Sequence, residues 1–288
     1  MIDFNGRIAL VTGAGRGLGF AYARALAERG ATVLVQDVGA DRSGSGVDRR
    51  VAEQAAQALR DDGLSAFGVS DPIATRDDCR YIVDAAVAGH GRLDILIHNA
   101  GWVAYETIEA IRESSFDDMM TIAAKAPLWL AQAAWPAMKG NGYGRIVLTT
   151  SDRAIFPQYV QPGLIAYAAA KMAAVGIVNV LAHEGEADGI VVNAVSPVAK
   201  TRMWGVEGEP DELRPSEVAP GVAFLASDAC REGGWILRAA NGQFHATRAC
   251  EAEGADGSRN LAAVRAADVD AVAAGWPRIA VRAVEPRG

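Results

Sequence analysis

A tyrosine, a lysine and a serine are spaced so that they could move a proton at one site. Tyr167 and Lys171 are four residues apart in an alanine-rich segment that predicts a helix, so their side chains share one face. Ser151 follows a predicted strand, at the carboxyl edge of a sheet, where open α/β folds bind ligands. A free phenol has a pKa of about 10, which an ammonium group about 4 Å away would lower by up to roughly 3 units, less the effect of burial. We therefore predict Tyr167 as the acid/base, with Ser151 and Lys171 as its catalytic partners.

A glycine-rich turn near the start of the chain predicts a phosphate site. Residues 12–19 read TGAGRGLG and lie between the first predicted strand and an amphipathic helix. Glycines allow a tight turn, and the helix N-terminus offers free N–H groups and a positive dipole end to a pyrophosphate. The predicted cofactor contacts in this turn are Gly13, Arg16, Gly17, Leu18 and Gly19.

Two side chains favour different forms of the dinucleotide. Asp37 ends the second predicted strand, where a carboxylate accepts hydrogen bonds from the ribose hydroxyls and repels a 2′-phosphate. Arg16 favours the opposite outcome, because a guanidinium beside the ribose attracts that phosphate. Since the repulsion from the carboxylate is direct, we predict NAD, with NADP as the alternative.

Short apolar runs alternate with longer helical patterns along the chain. The predicted strands are 7–12, 32–36, 65–69, 93–98, 145–149, 190–195 and 234–238, and the predicted helices are 18–29, 47–62, 76–88, 116–138, 165–184 and 215–226. This alternation predicts an α/β fold, a single-domain, doubly wound (Rossmann) parallel sheet of about seven strands with helices on both faces.

The last part of the chain does not continue this alternation. We assign residues 1–242 to the dinucleotide-binding and catalytic domain and residues 243–288 to a C-terminal extension with a helix at 261–274. We expect the extension to contact a sister subunit; the alternative is a surface appendage.

Composition excludes several classes of protein. Half of the 288 residues are hydrophobic, which supplies a sizeable core, and the net charge of −7 disfavours nucleic acid and anionic membrane surfaces as partners. The three cysteines, at 79, 230 and 250, form no Cys-x-x-Cys pair, so neither a metal site nor a disulfide framework is predicted. The N-terminus does not resemble a signal peptide and the most apolar stretch, near 172–182, is interrupted, so we expect a cytoplasmic protein.

The combination of motifs is more specific than any one of them. Asn99-Ala100-Gly101 follows the fourth predicted strand and joins the glycine turn and the Tyr-x-x-x-Lys pair. With these residues the sequence resembles the short-chain dehydrogenase/reductase family over essentially its whole length. It is similar in more detail to the (3R)-hydroxyacyl-CoA dehydrogenase units of peroxisomal multifunctional β-oxidation enzymes, at residues 37–41, 143–146, 201–203 and 217–220 and in the tail after 242.

The resemblance implies a role for each matching residue. The serine would position the substrate oxygen, the tyrosine would move the proton, and the lysine would serve both the tyrosine and the nicotinamide ribose. It implies that Asp71 meets the adenine and that a homodimer or homotetramer forms. The remaining cofactor contacts that it implies are Asn99, Ala100, Gly101, Pro197, Val198 and Thr201.

The sequence departs from the family pattern at three places. Ala123 stands where the family usually has an asparagine that passes protons through water to the lysine. Ser151 and Tyr167 are separated by a longer loop, which contains Pro157 and Pro162. His98 replaces the first asparagine of the usual Asn-Asn-Ala-Gly; we interpret it as a hydrogen-bonded strand-end residue, with a catalytic base as the alternative.

Aromatic residues follow the predicted cofactor segments and could line a substrate pocket. If they do, the substrate is a small secondary alcohol or ketone with an apolar body, either a cyclic alcohol such as a terpenoid or steroid or a 3-hydroxyacyl thioester. The acidic segment 205–212 disfavours the thioester. The alternative function, favoured by Ala123, is an NAD-binding sensor or structural partner with little turnover. The aromatic candidates are Trp102, Tyr105, Phe156, Tyr159 and Trp204.

Overall fold

Apolar runs form one eight-stranded sheet in this computed structural model, which describes residues 2–206, 210–249 and 265–279. The strand order is β3-β2-β1-β4-β5-β6-β7-β8; neighbours are parallel, except that β8 is antiparallel to β7. The predicted parallel, doubly wound sheet is confirmed. The strands are β1 Ile8–Thr12, β2 Thr32–Gln36, β3 Ala66–Val69, β4 Ile95–His98, β5 Gly144–Thr149, β6 Ile190–Val198, β7 Ile236–Ala240 and β8 Gln243–Thr247.

Helices cover both faces of this sheet. On one face α1, α2 and α8 bury Tyr22, Leu59 and Val222, and on the other α3, α5 and α7 bury Ile82, Leu130 and Val178. The central strands are buried on both sides, which explains why their sequences are continuous apolar runs. The helices are α1 Gly17–Ala27, α2 Arg50–Asp61, α3 Arg76–His90, α4 Glu113–Met120, α5 Ala126–Gly140, α6 Asp152–Ile155, α7 Ile165–Gly185, α8 Pro215–Leu225 and α9 Val269–Ile279.

The order in which strands are added to the sheet reverses at β1, in the middle of the sheet. Strand β1 lies between β2 and β4, so successive connections leave to opposite sides and open a crevice at the carboxyl ends of the strands. The glycine turn after β1 and the residues that follow β4 and β5 meet at this edge.

The structure corrects the predicted long helix at 116–138. It is divided into α4 and α5 by a π-helical turn, Thr121–Lys125, in which the Ala126 N–H bonds the Thr121 carbonyl. A π-turn keeps the helical appearance of the sequence pattern while it shifts the side chains around the axis. The helix was predicted correctly in kind but not in its internal register.

Strand β8 was not predicted and extends the sheet past residue 242. Asn241 and Gly242 have φ values of 49° and 68° and join β7 to β8 as a two-residue hairpin. An Asn-Gly pair between two short runs is a hairpin signal, so the sequence did contain the evidence for this strand.

The chain divides into two compact units, residues 1–247 and 248–288. In the second unit the structure describes α9; of the predicted helix 261–274, residues 261–264 lie outside the described residues, as do Cys250 and 207–209 of the acidic segment. The contact of this extension with a sister subunit stays a prediction.

Helix α7 is long and apolar enough, by length and composition, to cross a membrane. Its Val175, Val178 and Ala182 are buried in the core beneath the sheet, and the helix packs against β6. Burial explains the apolar residues on this face of α7, whereas Ile165, Met172 and Val180 are exposed.

Candidate active site

The three predicted catalytic residues meet at the carboxyl edge of β5. Tyr167 and Lys171 lie on successive turns of α7, with the Lys171 Nζ atom 5.8 Å from the centroid of the Tyr167 ring. The Lys171 ammonium donates to the Thr149 carbonyl at 2.9 Å, and the Thr150 hydroxyl donates to the Lys171 carbonyl at 2.8 Å. These bonds tie α7 to the end of β5 and fix the lysine.

Ser151 lies between that strand end and the short helix α6. Its hydroxyl accepts a hydrogen bond from the Arg153 N–H at 3.2 Å and interacts with the side chain of Tyr167. The serine thus caps α6 and contacts the tyrosine, which brings the predicted trio together.

The electrostatics of Tyr167 differ from the sequence expectation. Burial raises the pKa of its hydroxyl above the ordinary value, and the Ser151 hydrogen bond and the nearby Arg153 charge only partly offset this. Burial also lowers the pKa of Lys171 to about 8, because its ammonium lies out of water. The prediction that Lys171 lowers the pKa of Tyr167 below its ordinary value is therefore wrong, because the effect of burial is larger.

The glycine turn packs tightly against the segment after β4. Gly13 has a φ of +61°, and a Cβ atom there would lie 2.7 Å from the Ala100 Cα. The Asn99 Nδ2 donates to the Gly13 carbonyl at 3.1 Å. A Cβ on Gly19 would overlap the same carbonyl. Side chains larger than hydrogen would therefore clash with the backbone of the turn and displace it. A tight glycine turn at a helix N-terminus fits the pyrophosphate of a dinucleotide.

Asp37 is held by the backbone at the end of β2. The Gly15 N–H donates to its Oδ2 at 3.0 Å and the Gly39 N–H donates to its Oδ1 at 2.7 Å. Arg16 and Arg202 both donate to the Ala40 carbonyl, at 3.3 and 2.9 Å. The sequence marked residues 201–203 only through the resemblance, and the contact of Arg202 with the Ala40 carbonyl was not predicted.

A cleft of about 1770 Å³ runs along this edge of the sheet. It exceeds the roughly 300–1,000 Å³ of a site for a drug-sized molecule and suits an extended dinucleotide. A Cβ on Gly101, which lines the cleft, would lie 3.8 Å from the Lys171 Nζ, so this end of the cleft lies beside the catalytic lysine. Its lining includes nine predicted cofactor residues: Gly13, Arg16, Gly17, Leu18, Asp37, Asn99, Ala100, Gly101 and Thr201.

Six predicted cofactor residues are not among those that line this cleft: Gly19, Asp71, Pro197, Val198 and the catalytic pair Tyr167 and Lys171. Gly19 packs against Gly13, and Asp71 is exposed, with its carbonyl accepting from Gln36 at 2.9 Å. Pro197 and Val198 pair with β7 at the end of β6. Their contacts with a cofactor, like those of the lining residues, stay predictions.

His98 joins the cofactor segment to the π-turn. The Thr12 hydroxyl accepts the N–H groups of Asn99 and Ala100 at 3.1 and 3.2 Å, so we infer that its proton points to the His98 Nδ1 at 3.0 Å. The ring proton then lies on Nε2 and is donated to the Ile122 carbonyl at 2.8 Å. Burial lowers the pKa of His98 to about 3, which keeps the ring neutral. The hydrogen-bonded interpretation of His98 is confirmed.

Ala123 lies in the π-turn and faces the helix that carries the catalytic pair. It is buried against Met119, Ala166 and Ala170. Its methyl group supplies packing and no polar atom, so a proton path to Lys171 would not run through this side chain.

The side chains that follow Ser151 and their partners, which we call the substrate side, come from parts of the chain that are far apart in sequence. Arg153 donates to the Tyr105 hydroxyl at 2.7 Å. Asp152 binds the Ser196 hydroxyl at 2.7 Å and the Arg238 Nε at 2.9 Å. This network was not predicted, because no spacing in the sequence connects its members.

The predicted aromatic residues divide into three groups. Phe156 and Tyr159 meet edge to face, with ring centroids 6.2 Å apart, beneath the Arg238 guanidinium. Trp102 lines the cleft, and Trp204 is exposed.

The chain matches known proteins over most of its length. The model of the short chain dehydrogenase family matches residues 7–211. The chain is 36% identical over 246 residues to the peroxisomal multifunctional enzyme type 2 of Drosophila melanogaster, covering 84% of this chain and 40% of that enzyme. It thus spans less than half the length of that relative.

Solved structures agree with the sequence match. A short chain dehydrogenase from Mycobacterium avium superposes with a TM-score of 0.80 at 28% identity, covering 96% of each chain. A metagenomic short-chain oxidoreductase in complex with NADP gives 0.66 at 26% identity, covering 77% of this chain and 91% of that one. The chain belongs to the short-chain dehydrogenase/reductase family of oxidoreductases, whose members bind a nicotinamide cofactor.

Proposed function

We propose that this protein is an NAD-dependent short-chain dehydrogenase that interconverts a secondary alcohol and a ketone. The observation that carries the proposal is the meeting of Ser151, Tyr167 and Lys171 at the end of β5, beside Gly101, which lines the dinucleotide-sized cleft. The alternative, an NAD-binding sensor with little turnover, is favoured by the apolar Ala123 alone.

Each of the three residues has one task in this proposal. Ser151 holds the substrate oxygen, and Tyr167 takes the hydroxyl proton during oxidation or returns it during reduction. Lys171, fixed by the Thr149 carbonyl, holds the ribose beside them. A bound nicotinamide would supply the hydride acceptor for oxidation and the hydride donor for reduction. Because burial raises the pKa of Tyr167, its hydroxyl keeps its proton and can act as a proton donor. A further positive charge in the site would lower this pKa.

Replacement of Tyr167 tests this assignment. Tyr167→Phe removes the proton donor and leaves the ring, so we expect alcohol-dependent NADH formation to fall by about 100- to 10,000-fold. Titration with NADH should show binding within about threefold of the wild type. Tyr81→Phe, at an exposed position on α3, is the matched control. Unchanged turnover in Tyr167→Phe would contradict the catalytic assignment.

The choice of NAD rests on the position of the Asp37 carboxylate. Two backbone N–H groups fix it beside the place for the ribose, where it would repel a 2′-phosphate. Arg16 is turned to the Ala40 carbonyl instead.

An Asp37→Asn variant measures that repulsion. We expect the ratio of NADP to NAD affinity to rise at least about tenfold, because a like charge near the phosphate is removed. Asp61→Asn on α2 controls for the loss of a surface charge. A wild type that binds NADP more tightly than NAD would show that the arginines decide the preference.

The substrate in this proposal is small and has an apolar body, either cyclic or an acyl thioester. Phe156 and Tyr159 follow α6, the helix that Ser151 caps, and offer aromatic faces to such a body. A panel of cyclic alcohols and hydroxyacyl thioesters, each followed by NADH absorbance, would separate the two classes.

A homodimer or homotetramer and a cytoplasmic location are further parts of the proposal. Ile165, Met172 and Val180 are exposed at seven- and eight-residue intervals on α7 and form an apolar stripe that suits a second copy of this chain. Analytical ultracentrifugation of the wild type and of Met172→Glu would test the oligomer, and imaging of the tagged chain would test the location.

A further inference from the structure

We propose that the substrate carries an anionic group, a carboxylate or a sulfonate, that binds the Arg153 guanidinium beside the reacting oxygen. This inference rests on the proposed function and gives its substrate class a second feature besides an apolar body.

Arg153 is fixed next to the catalytic residues from two directions. Its backbone N–H donates to the Ser151 hydroxyl at 3.2 Å, and its Nη1 donates to the Tyr105 hydroxyl at 2.7 Å. The guanidinium is also close enough to lower the pKa of Tyr167. A positive charge therefore lies at the reactive end of the substrate region.

Nearby carboxylates are already paired with other cations. Asp152 binds Arg238 at 2.8 Å, and Glu106 binds Arg112 at 3.0 Å. Among the residues that the structure describes, Arg153 forms no ion pair. The guanidinium of Arg153 thus keeps donors in a fork that matches a carboxylate or sulfonate.

The anion belongs on the body of a small substrate. Arg153 is two residues from Ser151, which would hold the reacting oxygen, and its guanidinium acts on the Tyr167 hydroxyl, so an anion bound to it would lie near that oxygen. The phosphates of a coenzyme A thioester are separated from the hydroxyl by the whole pantetheine arm. The position of Arg153 thus favours a compact anionic alcohol over a coenzyme A ester.

A matched pair of substrates tests the inference. One is a benzylic secondary alcohol with a ring carboxylate, and the other is its methyl ester. We expect the wild type to prefer the carboxylate, and Arg153→Gln to lower the ratio of the two kcat/KM values by about 10- to 100-fold. Arg153→Lys should retain part of the ratio. Arg80→Gln, at an exposed position on α3, is the control and should retain all of it.

Two results would overturn the inference. One is an equal ratio in the wild type and Arg153→Gln. The other is a preference of the wild type for a hydroxyacyl coenzyme A thioester over its pantetheine counterpart that Arg153→Gln loses. The anion bound by Arg153 would then be a coenzyme phosphate.

A binding measurement keeps this test separate from the proposed function. The ketone that carries the ring carboxylate is titrated calorimetrically into the wild type and Arg153→Gln, each saturated with NAD+, which cannot reduce it. Binding that Arg153→Gln loses, without turnover of either alcohol, would support the role of Arg153 and contradict the proposed catalysis. Equal binding by both proteins would overturn the role of Arg153.

Discussion

The cofactor side and the substrate side of the cleft are held together in different ways. On the cofactor side, side chains bind the backbone: Asn99 binds the Gly13 carbonyl, and Asp37 binds the N–H groups of Gly15 and Gly39. On the substrate side, side chains bind one another, as in the Arg153–Tyr105 pair. Backbone contacts require particular residue types at fixed spacings, whereas contacts between side chains can be exchanged as pairs.

The largest expected effect comes from a methyl group on the cofactor side. Gly19→Ala places a Cβ against the Gly13 carbonyl and displaces the turn. We expect NADH affinity, measured by fluorescence titration, to fall about a hundredfold, the loss that a displacement of about 1 Å can cause.

Gly89→Ala provides the matched control for this steric effect. Gly89 also lies in a helix, α3, but nothing is within 4 Å of its Cβ position. We expect unchanged NADH binding and up to about 1 kcal/mol of added stability. Equal loss of binding in both variants would contradict the role of close backbone approach.

The second effect concerns the His98 link between the cofactor segment and the π-turn. His98→Leu leaves the buried Thr12 hydroxyl and Ile122 carbonyl without their partner, so we expect urea unfolding to show a loss of about 2–4 kcal/mol. His98→Gln can still donate to the Ile122 carbonyl and should recover about half of it. Equal stability of the two variants would show that only packing matters there.

The same residue predicts a dependence of stability on pH. The pKa of His98 is about 3 in the folded chain and about 6.5 when unfolded, so the unfolded state binds the extra proton as the pH falls. Stability from this group is complete above about pH 6.5 and decreases below it, by about 2 kcal/mol at about pH 5. The difference between wild type and His98→Gln should follow this curve, whereas His183→Gln, an exposed histidine, should leave the wild-type curve unchanged.

The smallest effect is expected on the substrate side. Arg238→Gln removes the partner of Asp152 and the cation above Phe156 and Tyr159. We expect KM for an apolar alcohol to rise about three- to tenfold, with NADH affinity unchanged. A change in NADH affinity instead would mean that the two sides are coupled through Asp152 and Ser196.

The difference between backbone contacts on the cofactor side and side-chain contacts on the substrate side explains what the sequence could predict. The sheet, the glycine turn and the convergence of Ser151 with Tyr167 and Lys171 follow from local patterns, because backbone geometry requires them. The Arg153–Tyr105 and Asp152–Arg238 contacts join residues 48 and 86 apart, which no periodicity marks. The raised pKa of Tyr167 was missed because desolvation depends on packing around the ring, which spacing does not reveal. Strand β8 was also missed, although the Asn241-Gly242 pair is a local pattern that predicts a hairpin.

The most direct test of the proposed activity is titration of the purified protein with NAD(H) and NADP(H), followed by a panel of secondary alcohols. We predict tighter binding of NAD(H) than of NADP(H), and NADH formation with at least one alcohol that has an apolar body. Tight binding of NAD(H) without turnover of any alcohol would contradict this prediction and favour the sensor that Ala123 suggests.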